Sequence, residues 1–289
     1  MSIAALLIAN RGEIAIRIAR SASELGIRTI GVFSDDDSRS LHVRRMDAVQ
    51  PLRGTGAAAY LNVAGVIEAA RAAGCDAIHP GYGFLSENAA FARACAEAGL
   101  TFVGPTPDTL DLFGDKTAAR ALAARCEVPV APGSAGPVTL DEARTFLARH
   151  GAMMIKAVGG GGGRGMRAVF SDADLTGAYE RCRAEAGAAF GVDGVYVEAL
   201  IADARHIEVQ IVGDGTGAVV HLGERECSLQ RRHQKIFEIA PSPSLSTNMR
   251  RQVTRAAVRM AQAVRYRALG TFEFLVSGDA FHFIEANAR

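Results

Sequence analysis

Three lysines are the residues of this sequence best suited to ligand chemistry. The chain has 32 lysine and arginine residues, and only Lys116, Lys156 and Lys235 are lysines. Where arginine is so strongly preferred, a lysine is expected to persist where its compact ammonium group on a flexible stem does what a planar guanidinium cannot. All three lysines are therefore candidates for ligand contacts, and survival by chance is the alternative.

The most specific arrangement surrounds Lys156. A short apolar run at 153–158 contains this lysine, and the glycine-rich segment 159–165 follows. Glycine lets backbone N–H groups approach a ligand, and a lysine beside such donors suits phosphate oxygens. The segment lacks the Gly-Lys-Ser/Thr ending of a P-loop, and a second apolar run at 166–170 precedes a helix that starts at Ser171. The order strand, loop, strand, helix predicts a lid hairpin that closes over a nucleotide; a mobile surface hairpin is the alternative.

The end of the chain predicts a β-hairpin with its loop at 278–280. This register puts Glu273 opposite Glu285, and two carboxylates that face each other across strands repel. A cation between them removes that repulsion. Asn287 lies on the same face as Glu285, and oxygen ligands of this kind suit Mg²⁺ or Mn²⁺ carrying substrate phosphates. The alternative is a solvent-exposed pair of carboxylates.

The first part of the chain alternates strands and helices, which predicts a parallel, doubly wound, Rossmann-like sheet in an α/β fold. The predicted strands are 3–9, 29–33, 76–79 and 100–103. A dinucleotide site is disfavoured, because the first turn lacks Gly-x-Gly-x-x-Gly and Glu13 would repel a pyrophosphate. Three local features are also predicted: Ile14, Ile18 and Leu25 on one side of the first helix, one helix over 60–73, and Ser86 as the cap of a helix over 88–98.

The rest of the chain must place the lysines and carboxylates. A helical connector is expected over 106–130, with a break after Gly114, and further helices at 139–150, 172–188 and 247–265. Strands are expected at 195–200, 205–212 and 218–222. In the second of these, polar residues (His206, Glu208, Gln210) alternate with apolar ones (Ile207, Val209, Ile211), so one face is core and the other polar. The charged stretch 223–235 is expected to be a solvated loop, and its mixture of acids and bases disfavours nucleic acid.

Composition excludes several classes of protein. With 289 residues, 49% of them apolar, and a net charge of +1, the chain is neither disordered nor a nucleic-acid binder. No apolar run is long enough to span a membrane, and the N-terminus lacks the features of a signal peptide. The five cysteines are scattered without C-x-x-C, which favours a reduced, cytoplasmic setting with cysteines in the core.

Taken together, the motifs resemble those of biotin carboxylase, the ATP-grasp component of biotin-dependent carboxylases, from one end of the chain to the other. The matching stretches are ANRGEIA (9–15), HPGYGFLSEN (79–88), GDK (114–116), the glycine segment (156–166), HIEVQ (206–210), QRRHQK (230–235), and FEF (272–274) with EANAR (285–289). The resemblance implies a Rossmann-like domain at 1–114, a connector and ATP-grasp lid at 115–204, and the first part of the ATP-grasp C-terminal domain at 205–289.

The resemblance also implies a role for each matching site residue. The ATP phosphates would be held by Lys116, Lys156 and the loop residues Gly161, Gly162, Gly163, Arg164 and Gly165. The adenine and ribose would be contacted by Glu198, Ile201, His206, Gln230, His233 and Leu275. Two Mg²⁺ or Mn²⁺ ions would be bound by Glu273, Glu285 and Asn287, and bicarbonate by Lys235 and Arg289. Ala199 departs from the family pattern, since some members carry a lysine there.

The implied reaction is the ATP-dependent carboxylation of biotin on a carrier protein. Bicarbonate would attack the γ-phosphate to give carboxyphosphate and ADP, and the CO₂ released beside biotin would give N-carboxybiotin. The implied partners are a biotin carboxyl carrier domain, a carboxyltransferase and a second copy of the full-length chain. The family's general base follows the position of Arg289, so the chain is expected to be a fragment that is inactive alone. The alternatives are another ATP-grasp ligase, such as a carbamoyl-phosphate synthase-like enzyme, and a non-catalytic ATP-binding module.

Overall fold

The computed structural model of the protein describes residues 3–159, 165–231 and 234–289. The chain divides into two compact units. The first comprises Met1–Asp111, Arg267–Leu269 and Ala288–Arg289, and the second comprises Leu112–Tyr266 and Gly270–Asn287. The division into three domains, with limits at 114 and 204, stays a prediction.

A five-stranded parallel sheet forms the centre of the first unit. Its strands are β1 (Ala5–Ile8), β2 (Arg28–Phe33), β3 (Ala48–Pro51), β4 (Ala77–His79) and β5 (Thr101–Phe102). Their order is β3-β2-β1-β4-β5 with parallel pairing throughout, so the predicted Rossmann-like sheet is confirmed. Strand β3 was not predicted, because it is only half-buried and lacks a continuous apolar run.

The loop after β4 is tied to the end of β1 by Asn10. This buried side chain donates from Nδ2 to the carbonyl oxygens of Pro80, at 2.7 Å, and Tyr82, at 2.8 Å. Gly81 between them has a φ of +68°, and a Cβ there would lie 2.7 Å from Asn10 Nδ2. The HPGYG segment therefore needs glycine at 81 for both its backbone conformation and its packing.

Five helices connect the first part of the chain: α1 (Gly12–Glu24), α2 (Gly56–Tyr60), α3 (Val63–Ala72), α4 (Ala89–Glu97) and α5 (Pro107–Gly114). The helix predicted over 60–73 is observed as α3, but it begins only at Val63 because the chain breaks between α2 and α3. Asn62 caps α3 by accepting a hydrogen bond from the Gly65 amide at 3.1 Å. An asparagine side chain that bonds to nearby backbone competes with a continuous helix at this position.

Two other local predictions in this unit are wrong. Asn88, not Ser86, caps α4 by accepting from the Phe91 amide at 2.8 Å, and the buried Ser86 hydroxyl has no hydrogen-bond partner among the described residues. Leu25 is 76% exposed at the C-terminal end of α1, so it does not share the buried side of the helix with Ile18.

The second unit begins at Leu112 in the last turn of α5, and its first complete helix is α6 (Lys116–Arg125), after the predicted break. The Asp115 carboxylate caps α6 by accepting from the Thr117 and Ala118 amides. Next along the chain are α7 (Leu140–His150), β6 (Met153–Ala157), β7 (Met166–Val169), α8 (Asp172–Phe190) and β8 (Val195–Ala199). The two strands and the helix are confirmed in the predicted order as β6, β7 and α8, and the loop predicted between the strands falls mostly on residues 160–164, which lie outside the described residues. The antiparallel sheet β7-β6-β8 shares a hydrophobic core with α7 and α8.

A four-stranded sheet, in the order β10-β9-β13-β14, carries the rest of this unit. The remaining elements are β9 (Arg205–Asp214), β10 (Val219–Glu226), β11 (Gln230–Arg231), β12 (Gln234–Lys235), α9 (Thr247–Ala263), β13 (Arg267–Ser277) and β14 (Ala280–Ala288). The apolar face predicted for β9 is confirmed, because Ile207, Val209 and Ile211 are fully buried. The solvated loop expected at 223–235 is wrong, since β10 runs on to Glu226 and this carboxylate is buried beside Ser242 and Ser244.

Two further sequence expectations concern the cysteines and the helices. All five cysteines are free and four are buried, as predicted for core residues. Among the residues described, no helix has the length and apolar character needed to cross a bilayer.

Candidate functional site

Lys156 lies in β6 and contacts a carboxylate on the neighbouring strand β8. Its Nζ donates to Oε2 of Glu198, which is 2% exposed. The other carboxylate oxygen accepts from Arg120 of α6 at 2.6 Å. Burial raises the pKa of Glu198, but the charges of Lys156 and Arg120 outweigh it, so the pKa is lowered. This carboxylate is therefore ionised and held between two cations.

Lys116, the first residue of α6, contacts Glu285 of β14. Its Nζ donates to Oε2 of Glu285, and the lysine side chain is 8% exposed. Lys116 is therefore buried and paired with a carboxylate. Lys116 and Arg120 are one helical turn apart, so α6 presents both cations on the same side.

Lys235 of β12 bridges two buried carboxylates. Its Nζ donates to Glu208 of β9 at 2.5 Å and to Glu273 of β13 at 2.8 Å. Burial lowers the pKa of Lys235, but the carboxylates outweigh it, so the pKa is raised and the lysine stays charged. Glu208 also accepts from Arg225 Nε at 2.5 Å. The polar face predicted for β9 is thus part of a buried ion-pair network.

Glu273 accepts from three different side chains. His206 Nε2 lies 2.5 Å from one oxygen, and the other oxygen accepts from Lys235 and from Asn287 Nδ2, the latter at 2.6 Å. His206 Nδ1 accepts from Gln230 Nε2 at 2.8 Å, which leaves the proton on Nε2 to point at Glu273. Burial raises the pKa of Glu273, but His206 and then Lys235 outweigh it, so the pKa is lowered.

The arrangement of β13 and β14 agrees with the predicted hairpin. The Arg289 amide donates to the Leu269 carbonyl at 3.1 Å, which is the pairing expected when Glu273 lies opposite Glu285. The Asn287 side chain also reaches Thr271 Oγ1, at 3.2 Å. Each of the two carboxylates is paired with a lysine, Glu273 with Lys235 and Glu285 with Lys116, which offsets their mutual repulsion.

The remaining predicted site residues that the structure describes do not belong to the ion-pair clusters around the three lysines. Arg289 pairs with Glu87 at 3.2 Å within the first unit. Ile201 and Leu275 are half-buried, and Gly165, the last residue of the glycine segment, has a φ of +65°. Five of the predicted contacts lie outside the described residues: Gly161, Gly162, Gly163, Arg164 and His233.

Sequence reasoning missed Arg120 and Arg225 as members of these clusters. Both are arginines in a chain rich in arginine, so composition gave no signal. A different group of possible metal ligands, Glu208, Cys227 and Glu238, places its ligand atoms within 4.8 Å of one another. Burial raises the pKa of Cys227 to about 12, which keeps its thiol protonated and disfavours metal binding.

Comparison with known proteins places these residues in a family. The model for the N-terminal domain of biotin carboxylase matches residues 2–110. The model for the ATP-binding domain of the carbamoyl-phosphate synthase L chain matches residues 115–289. A biotin carboxylase of Pseudomonas aeruginosa is 47% identical over 290 residues, which are 98% of this chain and 64% of that protein. The chain belongs to the biotin carboxylase family.

Similarity to a longer enzyme and to solved structures supports the same family. A pyruvate carboxylase of Bacillus subtilis is 53% identical over all of this chain, which spans 25% of that enzyme. A crystal structure of the biotin carboxylase–β-γ-ATP complex from Campylobacter jejuni superposes with a TM-score of 0.97 at 43% identity, covering 100% of this chain and 66% of that one. The biotin carboxylase domain of Hydrogenobacter thermophilus 2-oxoglutarate carboxylase gives a TM-score of 0.95 at 40% identity, covering 100% and 64%. The predicted Rossmann-like domain followed by an ATP-grasp domain is therefore confirmed, and the chain spans a quarter to two thirds of these relatives.

Proposed function

We propose that the chain is the ATP-binding part of an enzyme that carboxylates biotin on a carrier protein, with bicarbonate as the carbon source. The observation that carries this proposal is the pairing of all three lysines with carboxylates inside the second unit. Cations held this way can exchange a carboxylate for a phosphate without being exposed to bulk water. The relatives support the choice of reaction, since they are biotin carboxylases and enzymes that contain one.

Lys116 and Lys156 are proposed to hold the phosphates of ATP, with the glycine segment 159–165 closing over them. Both lysines are buried beside carboxylates that they can leave when the more highly charged triphosphate enters. Because they lie in a water-poor setting, their charges act strongly on the γ-phosphate as negative charge shifts during transfer. The lid would also exclude the water that hydrolyses carboxyphosphate.

The adenosine is proposed to lie beside Glu198, Ile201 and Leu275, with His206, Gln230 and His233 around the ribose. Both carboxylate oxygens of Glu198 already accept from cations, so the adenine is proposed to meet the peptide group of Glu198. The Gln230 nitrogen donates to His206 Nδ1 and to the Cys227 carbonyl, so its amide oxygen would be held in a fixed orientation to accept from a ribose hydroxyl.

Glu273, Glu285 and Asn287 fit the divalent metal that such a reaction needs. They offer two carboxylates and an amide oxygen, which is the donor set of Mg²⁺ or Mn²⁺. The Asn287 nitrogen donates to Glu273, which leaves the amide oxygen of Asn287 available as a ligand. A metal bound by these residues would neutralise charge on the ATP phosphates. A structure of the related Hydrogenobacter domain contains MgADP and bicarbonate.

Lys235 and Arg289 are proposed to hold bicarbonate for attack on the γ-phosphate. Lys235 stays charged because Glu208 and Glu273 raise its pKa, so it acts as a fixed cation and not as a base. The carboxyphosphate formed with ADP would release CO₂ beside the ureido nitrogen of biotin. The proposed partners are a biotin carboxyl carrier domain, a carboxyltransferase and a second copy of the full-length protein, with a cytoplasmic location.

The test is ADP release by the natural full-length protein that carries this chain. Release should require bicarbonate, rise with free biotin, and fall in the Lys235→Ala variant. Arg251→Ala is the matched control, because Arg251 is exposed on α9. If release is independent of both bicarbonate and biotin, the proposed reaction is wrong and another ATP-grasp ligase activity takes its place.

A further inference from the structure

Arg120 is a buried arginine that the proposed mechanism does not use. It projects from α6 and is 8% exposed. Its Nη1 donates to Oε1 of Glu198 at 2.6 Å, and its Nη2 donates to the Ala131 carbonyl, also at 2.6 Å. The guanidinium is thus anchored at two points.

The backbone beside Arg120 is shaped to admit the guanidinium. A Cβ on Gly133 would lie 2.7 Å from Arg120 Nη2, 2.8 Å from the Val197 carbonyl oxygen and 3.2 Å from Glu198 Cγ. Any other residue at 133 would push against the arginine or against the strand that carries Glu198. Glycine at 133 therefore lets Arg120 reach this carboxylate.

The two cations on Glu198 differ in what they can do. Lys156 holds one oxygen with a flexible side chain and no second anchor among the described side chains. Arg120 holds the other oxygen and is fixed to Ala131. Two cations against one carboxylate leave one positive charge in excess, which favours an incoming anion. If Lys156 turns to a phosphate, Arg120 still neutralises Glu198.

We infer that Arg120 is a positioning residue that frees Lys156 for the nucleotide phosphates by keeping Glu198 neutralised. Without Arg120, Lys156 is the sole cation on a carboxylate that is 2% exposed. Its departure would then leave a buried, unpaired charge, which is strongly unfavourable. Lys156 would stay on Glu198, and the phosphates would lose a contact. This inference rests on the proposed ATP site.

The test compares the binding of ATP and of adenosine to the full-length protein by calorimetry. Arg120→Gln removes the charge and keeps amide donors, and Arg125→Gln, on the exposed end of the same helix, is the control. Arg120→Gln should raise the Kd for ATP at least about tenfold, because breaking a buried ion pair from one side is costly. The Kd for adenosine should not change, because adenosine has no phosphate. If Arg120 had a purely structural role, its replacement would raise the Kd for ATP and the Kd for adenosine together.

Adding Glu198→Gln to Arg120→Gln should restore ATP binding, because Lys156 then leaves a neutral amide. If the double variant binds ATP no better than Arg120→Gln, or if Arg120→Gln binds ATP like the unaltered protein, the positioning role is refuted. If the unaltered protein does not bind ATP, the proposed function itself fails. Should Arg120→Gln not fold, Arg120→Lys is measured in its place. It keeps the charge that neutralises Glu198, so ATP affinity should be largely retained, whereas a lysine variant that folds and still loses ATP affinity about tenfold would refute the positioning role.

Discussion

Replacing Glu273 by glutamine should lower the free energy of unfolding by about 3–5 kcal/mol. Glu273 is 2% exposed and accepts from His206, Lys235 and Asn287. A glutamine oxygen can still accept from Lys235 and Asn287. The glutamine nitrogen, however, faces His206 Nε2, whose proton is fixed there by the hydrogen bond from Gln230 to Nδ1. Two donors then meet in a buried place, and one is left without an acceptor.

The size of the loss follows from what each partner keeps. A hydrogen bond to a charged group contributes about 1.5–3 kcal/mol, so losing all three bonds would set an upper limit of about 9 kcal/mol. Lys235 keeps Glu208, and Asn287 keeps Thr271, so neither becomes unpaired. The loss is therefore dominated by the charge that faces Lys235 and by the conflict at His206.

Urea unfolding followed by circular dichroism at pH 7 measures this loss directly, and Tm should fall by about 6 °C or more. Glu180→Gln is the control, because Glu180 is exposed on α8 and its replacement should change stability by less than about 0.5 kcal/mol. A loss below about 1 kcal/mol for Glu273→Gln would refute the argument, since it would mean that the network around Glu273 is solvated or remade in the variant.

Three further results are expected. Asn88→Ala should destabilise the protein by about 1 kcal/mol, because Asn88 caps α4. Ser86→Ala should be near neutral or stabilising, because the Ser86 hydroxyl is buried without a partner among the described residues. Urea titrations of the two variants side by side would test both expectations. Gly213→Ala should abolish or severely reduce soluble expression, because its Cβ would lie 2.1 Å from the Tyr266 carbonyl oxygen; normal yield and Tm would contradict this steric argument. Folding lowers the pKa of Glu198, so the ionised carboxylate stabilises the folded protein at pH values above its unfolded pKa of about 4.5, and this stabilisation is lost as the pH falls through its folded pKa. The urea concentration at the unfolding midpoint should therefore decrease below pH 4.5, and it should decrease less in the Glu198→Gln variant.

Local sequence patterns predicted the elements well where one physical signal dominated. The alternation in β9 predicted its buried apolar face, although it did not show that Glu208 on the other face is buried as well, and the apolar strand runs predicted the parallel sheet. Prediction was wrong where two residues competed for one local role. Ser86 and Asn88 can both cap a helix, and the choice depends on where the tightly turned HPGYG segment delivers the chain.

The sequence alone identified the family and most of the elements in their order. It also identified the three lysines as candidates for ligand contacts, because the other basic residues are arginines. Composition and periodicity act over a few residues, so both can be read before folding. Only the tertiary structure decided which carboxylate meets which lysine. Lys116 meets Glu285 across 169 residues, and Arg120 meets Glu198 across 78. Such pairs form because strand order and helix position bring distant residues into a buried setting where an unpaired charge is costly, and no local pattern records that choice.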